Sequence, residues 1–65
     1  MQSMPFEQMI QTIFNLAIES DAIVTFDGKS EEFVIESFKG HEYYTGNVEQ
    51  TLEVLQAIKV LEKFS

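Results

Sequence analysis

Two stretches of helical spacing bracket a middle that has none, and this pattern decides most of what the chain can become. Phe6, Met9, Ile10, Ile13, Phe14 and Ala17 fall at i, i+3, i+4, i+7, i+8 and i+11, the apolar stripe of a helix over residues 4–20. Leu16 and Ile18 widen it on both flanks. Pro5 suits the first turn, where its missing N–H costs nothing, with Ser3 or Met4 as the cap. At the other end, residues 48–64 carry Val48, Leu52 and Leu55 on one stripe and Val54, Ala57, Ile58, Leu61 and Phe64 on an adjacent one. Asn47 is a good N-cap, and Gln50 completes a capping-box-like arrangement. Lys59 and Lys63 are placed to complement the dipole of this second helix.

Between the helices lie short β-rich runs, Ala22–Phe26, Glu32–Phe38 and His41–Thr45, punctuated by Asp27-Gly28-Lys29-Ser30 and Lys39-Gly40. A four-residue first loop sets Val24 opposite Phe33 and Ala22 opposite Ile35, and such apolar pairs are favoured by a few tenths to ~1 kcal/mol each. A two-residue second loop sets Ile35 opposite Tyr44 and Glu36 opposite Tyr43. One sheet face then holds Ala22, Val24, Phe26, Phe33, Ile35 and Tyr44. The other holds Ile23, Thr25, Glu32, Val34, Glu36 and Tyr43 and is wet.

Sixty-five residues without cysteine form one domain over 1–65 that no disulfide or thiolate metal site can staple. So short a chain buries only roughly 60% of its unfolded surface. The remaining remedies are tight helix packing or oligomerisation. Six Phe and two Tyr in a 45% hydrophobic chain make a folding composition. Eleven acids against four lysines leave a net charge of -7, which disfavours direct binding to nucleic acid or to an anionic membrane. No basic segment precedes Lys29 and no apolar run exceeds three residues. A signal peptide and a membrane span are therefore not expected, and the cytoplasm is the expected location.

Gly28-Lys29-Ser30 is the closing tripeptide of a phosphate-binding loop, but the first glycine of that motif falls on Ile23 and a strand follows in place of a helix. The tripeptide is read as a hairpin corner. An EF-hand register likewise puts Ile23 at the first ligand position, so no metal or cofactor is expected. His41, the single histidine, comes with no nucleophile motif, and no catalytic residue is assigned. The acids Asp27, Glu31, Glu32, Glu36 and Glu42, with Tyr43 as an outward aromatic anchor, are the candidate partner-binding residues.

The order helix, three-stranded meander, helix resembles the layout of the double-stranded-RNA-binding domain over most of the chain. That family has a lysine-rich start to its second helix. Here the matching Gly46-Asn47-Val48-Glu49-Gln50-Thr51 has no basic residue, so RNA binding is not carried over. The expected fold is α+β, with both helices on one face of a three-stranded antiparallel sheet. The helices are more apolar than that face can cover, so a homodimer through Val54, Ile58, Leu61 and Phe64 is expected. The expected function is a non-catalytic interaction protein that modulates or inhibits a basic protein partner. Its sharper form is an acidic nucleic-acid mimic of the kind phages encode. The rivals are a small enzyme or ligand-binding domain with a site between sheet and helices, and a structural subunit of a larger assembly.

Overall fold

A computed structural model describes residues 5–63. The chain runs through α1 (Phe6–Ser20), β1 (Ile23–Asp27), β2 (Glu32–Glu36), β3 (Glu42–Thr45) and α2 (Val48–Ile58), then a wider π-helical turn, Lys59–Lys63. The strands form one antiparallel sheet in the order β1-β2-β3. This is the expected α+β order.

Each boundary has a local cause. Pro5 is itself the cap of α1, with extended backbone and no side-chain bond, and its carbonyl accepts the first helical N–H, from Met9. The expected caps Ser3 and Met4 lie outside the described residues. At the far end Asp21 turns left-handed (φ 56). The N–H groups of Asp21 and Ala22 then close onto the carbonyls of Ile18 and Ala17, the double bond of a Schellman stop. Aspartate tolerates that conformation better than most residues because its side chain is short and polar. At the start of α2, Asn47 accepts from Gln50 N–H at 2.8 Å, and the Gln50 side chain reaches back to Gly46 N–H at 3.1 Å. The reciprocal cap is as expected, shifted by one residue at its return bond.

Both hairpins differ in register from the sequence-based expectation. In the first, Val24 faces Ile35, Phe26 faces Phe33 and Asp27 faces Glu32. The loop is Gly28–Glu31, one residue further on, and Lys29 N–H bonds Asp27 Oδ1 at 2.9 Å to shape it. The left-handed residue is Glu31 (φ 57), not Gly28. Sliding the pairing by two positions leaves every side chain on its expected face. The Phe26 and Phe33 rings meet edge-on with centroids 5.1 Å apart, a contact worth ~0.5–1.5 kcal/mol beyond area burial.

The second hairpin slips by one, and that has a consequence for the side chains. Gly40 takes φ 85, its N–H bonds Ser37 O at 2.9 Å, and Ser37 N–H bonds His41 O at 2.8 Å. The turn therefore has three residues, Phe38-Lys39-Gly40, with glycine at the left-handed position. Ile35 faces Tyr43 and Val34 faces Tyr44. Tyr43 is turned inward and Tyr44 outward, the reverse of the expectation.

The core is Ile13 and Ala17 of α1, Ile35 of β2, and Leu55 and Ile58 of α2, each at most 6% exposed. Val24, Phe33 and Tyr43, all on the Ile35 side of the sheet, pack against it, so both helices share that face. Three buried hydroxyls make two ties beside this apolar group. Ser20 Oγ lies between the carbonyls of Leu16 and Leu55, tying α1 to α2. Thr45 Oγ1 meets Thr51 Oγ1 at 2.6 Å, tying β3 to α2. The helical ladder widens into the π turn just past Leu55, whose carbonyl Ser20 engages.

The expected dimer stripe does not survive as one surface. Ile58 is 2% exposed within the chain's own core and Val54 is half-buried. Leu61 is exposed, and Phe64 lies outside the described residues. The lysines also act differently from expectation. Lys59 Nζ meets Glu19 Oε1 at 2.6 Å, while Lys63 Nζ reaches Glu19 O at 2.7 Å and Asp21 Oδ2 at 3.3 Å. They serve the C-terminal end of α1 rather than that of their own helix.

Candidate functional site

The outer face of the sheet carries the acidic residues singled out in the sequence. Alternation along the strands sends Ile23, Thr25 and Asp27 outward from β1, Glu32, Val34 and Glu36 from β2, and Glu42 and Tyr44 from β3. Two of the resulting cross-strand pairs set carboxylate against carboxylate, Asp27 with Glu32 and Glu36 with Glu42. Like charges directly opposite one another are destabilising by some tenths of a kcal/mol. Among the described residues, none of these four carboxylates takes part in an ion pair. Tyr44 stands in the middle, 59% exposed, and donates its hydroxyl to Glu42 Oε1 at 3.3 Å. The Glu42 carboxylate beside it pushes the Tyr44 hydroxyl above its usual pKa.

Of the expected partner-binding residues, Asp27, Glu32, Glu36 and Glu42 share this face. Glu31 lies in the adjoining loop. Tyr43 does not belong to it, and Tyr44 takes the place assigned to Tyr43. The four carboxylates are spread along and across the strands, and no three acidic or histidine side chains among the described residues are grouped as a metal site.

A second polar cluster lies at the other side of the sheet, and its main residue was missed from the sequence. The π turn brings Glu62 over β3. There Tyr43 donates its hydroxyl to Glu62 Oε2 at 2.9 Å, and His41 Nδ1 stands 3.3 Å from Oε1. The Glu62 side chain is only 11% exposed. Burial is the largest single influence on it and raises its pKa. The nearby Ser37 hydroxyl, the Tyr43 hydrogen bond and the His41 ring outweigh that and hold Glu62 below the usual glutamate value. The same bond to Glu62 pushes the Tyr43 hydroxyl up. His41, Tyr43 and Glu62 border a hollow of about 300 Å³ whose other walls are Val54, Ala57, Ile58 and Leu61.

A histidine oriented by a carboxylate at Nδ1 is half of a catalytic set. The other half is a nucleophile at the free imidazole nitrogen. Ser37 Oγ instead accepts from the backbone N–H of His41 at 3.2 Å and is buried. The arrangement pins the C-terminal turn to β3. Glu62 was illegible because its partners lie 19 and 21 residues away in sequence, and no local spacing joins them.

The pH dependence follows from the depressed carboxylates. Glu62, and Glu19 through its hydrogen bond to Lys59, both sit below the usual glutamate range. Their folded-state pKa values are below the unfolded ones, so in that range the unfolded chain binds more protons and acid destabilises the fold. Their contribution is complete above pH ~4.5 and is lost as the pH falls through the folded-state values. Urea midpoints of wild type and Glu62→Gln should therefore converge between neutral pH and pH ~3. Parallel curves at constant separation would exclude a role for the Glu62 charge.

No helix among the described residues is long and apolar enough to cross a membrane. Searched against protein-family models, curated proteins and solved structures, the chain matches none.

Proposed function

We propose that the chain is a non-catalytic protein-interaction module that presents its outer sheet face to a basic protein partner and modulates or inhibits it. The observation that carries this reading is the pair of facing carboxylates at each end of that face, Asp27 with Glu32 and Glu36 with Glu42. Each pair costs stability where alternating charge would add it. A lysine- or arginine-bearing surface laid across the sheet neutralises both, and the exposed Tyr44 ring between them offers an apolar and hydrogen-bonding anchor. In the sharper form of this reading the partner is a nucleic-acid-binding protein and the carboxylates stand in for phosphates.

The test is kinetic. A partner captured from the source cell should associate with wild type at a rate that falls steeply with salt, because exposed charges mainly steer encounter. The triple change Glu32→Gln, Glu36→Gln and Glu42→Gln should slow association roughly tenfold or more and flatten the salt dependence. Its melting temperature should equal or exceed that of wild type, since two repulsive pairs are relieved. Unchanged rate and salt dependence in a folded triple variant would remove the outer face from the binding site.

A further inference from the structure

The two edges of the sheet are built differently. β3 ends its sheet with Glu42 on the outer side, and Tyr43 is tied to the π turn beside it. β1 has no such protection. Its residues Ile23-Val24-Thr25-Phe26 carry no charge and no proline, and four of the five in the strand are exposed. Folded proteins normally blunt a bare edge with lysine, proline or a bulge, because its free N–H and C=O groups will pair with another strand.

The surface beside that edge is apolar as well. Phe6, Ile10, Phe26, Phe33 and Val48, with Asn47, enclose an open hollow of about 510 Å³ where α1 and α2 begin. A second hollow continues it along α1 to Phe14. Ile18, one turn beyond Phe14, extends the same ridge. Phe6, Phe14, Ile18 and Phe26 are 69%, 56%, 73% and 58% exposed. With aromatic side chains of ~150–250 Å² each, the three phenylalanines expose on the order of 400 Å², and Ile18 adds to that. A stable interface takes about 800 Å² from each partner, and the β1 backbone with its flanks supplies the balance.

We propose that this edge and groove are occupied by a second copy of the same chain, with β1 pairing antiparallel to β1 of its partner about a twofold axis at Thr25. Charge selects the occupant. On a chain of net charge -7, β1 from Ile23 to Phe26 and the adjoining groove form the surface where two copies can meet without setting carboxylates together. A basic partner is drawn to the outer face instead. The register also follows. Centring on Thr25 pairs all five residues of β1, matches Val24 with Phe26 on the inner face, and sets Asp27 against Ile23. The two sheets then become one continuous sheet, and their acidic outer faces become a single longer one. The dimer stands whether or not that face binds a basic protein.

Sedimentation at micromolar concentration should give twice the 7.5 kDa chain mass. Phe26→Lys and Phe14→Lys should each shift the protein to monomer with its far-UV circular dichroism retained, since both side chains are already more than half exposed. Because the chain has no cysteine, Thr25→Cys places a single thiol on the twofold axis. Treatment with diamide should convert it to a covalent dimer, as directly opposed strand residues lie within disulfide reach. Ser30→Cys, in the loop, should not cross-link under the same conditions. A wild-type monomer would overturn the proposal. So would a dimer that Leu61→Asp dissociates while Thr25→Cys fails to cross-link, which would place the interface on the C-terminal turn. Should Phe26→Lys fail to fold through loss of its contact with Phe33, the cross-linking result decides alone.

Discussion

Ile58→Asp should unfold the protein, whereas Leu61→Asp, three residues on, should leave it folded. The two positions fall on the same helical stripe of the sequence, but Ile58 is 2% exposed and Leu61 is 68% exposed. Ile58 closes the core with Ile13, Ala17, Ile35 and Leu55. An unpaired carboxylate there costs several kcal/mol, or protonates at a similar cost. A chain of this size has roughly 3–10 kcal/mol of stability in total. The core term therefore consumes most of it. At Leu61 the new charge stays in water, and the loss is expected within about 1 kcal/mol. Circular dichroism and urea melts at neutral pH read both outcomes. Two variants of equal stability would mean that the C-terminal segment does not pack as described.

That contrast marks how far the sequence was legible. Helix existence, strand number and the antiparallel meander could be read because helical spacing, β-rich runs and turn residues are local signals. What could not be read was which residues of a broad apolar stripe point inward. The stripe of α2 spans Val54, Ile58 and Leu61, and only contact with β2 and α1 separates core from surface. The π turn then re-aims everything after Ile58. No local spacing signals it, and the one long-range tie beside it, the Ser20 hydroxyl on Leu55 O, spans 35 residues of sequence.

The hairpins show the same limit at finer scale. Lys39-Gly40 reads equally well as the centre of a two-residue turn or as the end of a three-residue one. The left-handed Gly40 selects the latter, and the single-residue difference exchanges Tyr43 and Tyr44. The same slip turned Glu42 outward beside Glu36, so four of the candidate acids share one face; within a strand, parity depends only on spacing. Glu32 and Glu36 share a face whatever their partners are. The π turn also brings Glu62 to the inward Tyr43, so the error at Gly40 and the failure to foresee the Glu62 cluster are connected.

The buried threonine pair should behave asymmetrically on mutation. Thr51 Oγ1 lies 2.9 Å from Asn47 O, a carbonyl that can only accept, so the Thr51 hydroxyl proton points there. Its 2.6 Å contact with Thr45 Oγ1 must then be a bond that Thr45 donates. Both side chains are buried, at 5% and 0% exposure. Thr51→Val removes the acceptor and strands the Thr45 donor away from water, a loss expected at ~1–3 kcal/mol. Thr45→Val removes the donor instead and leaves Thr51 still donating to Asn47 O. It should cost less, about 1 kcal/mol or below. The double variant removes both hydroxyls, and the Asn47 carbonyl keeps the Thr51 N–H at 3.1 Å. It should therefore be more stable than Thr51→Val alone, with a favourable coupling of roughly 0.5–2 kcal/mol between the two changes. Urea denaturation of the four proteins closes the cycle. Additive losses, or a Thr45→Val variant weaker than Thr51→Val, would reverse the donor assignment and with it the account of how β3 is fastened to the start of α2.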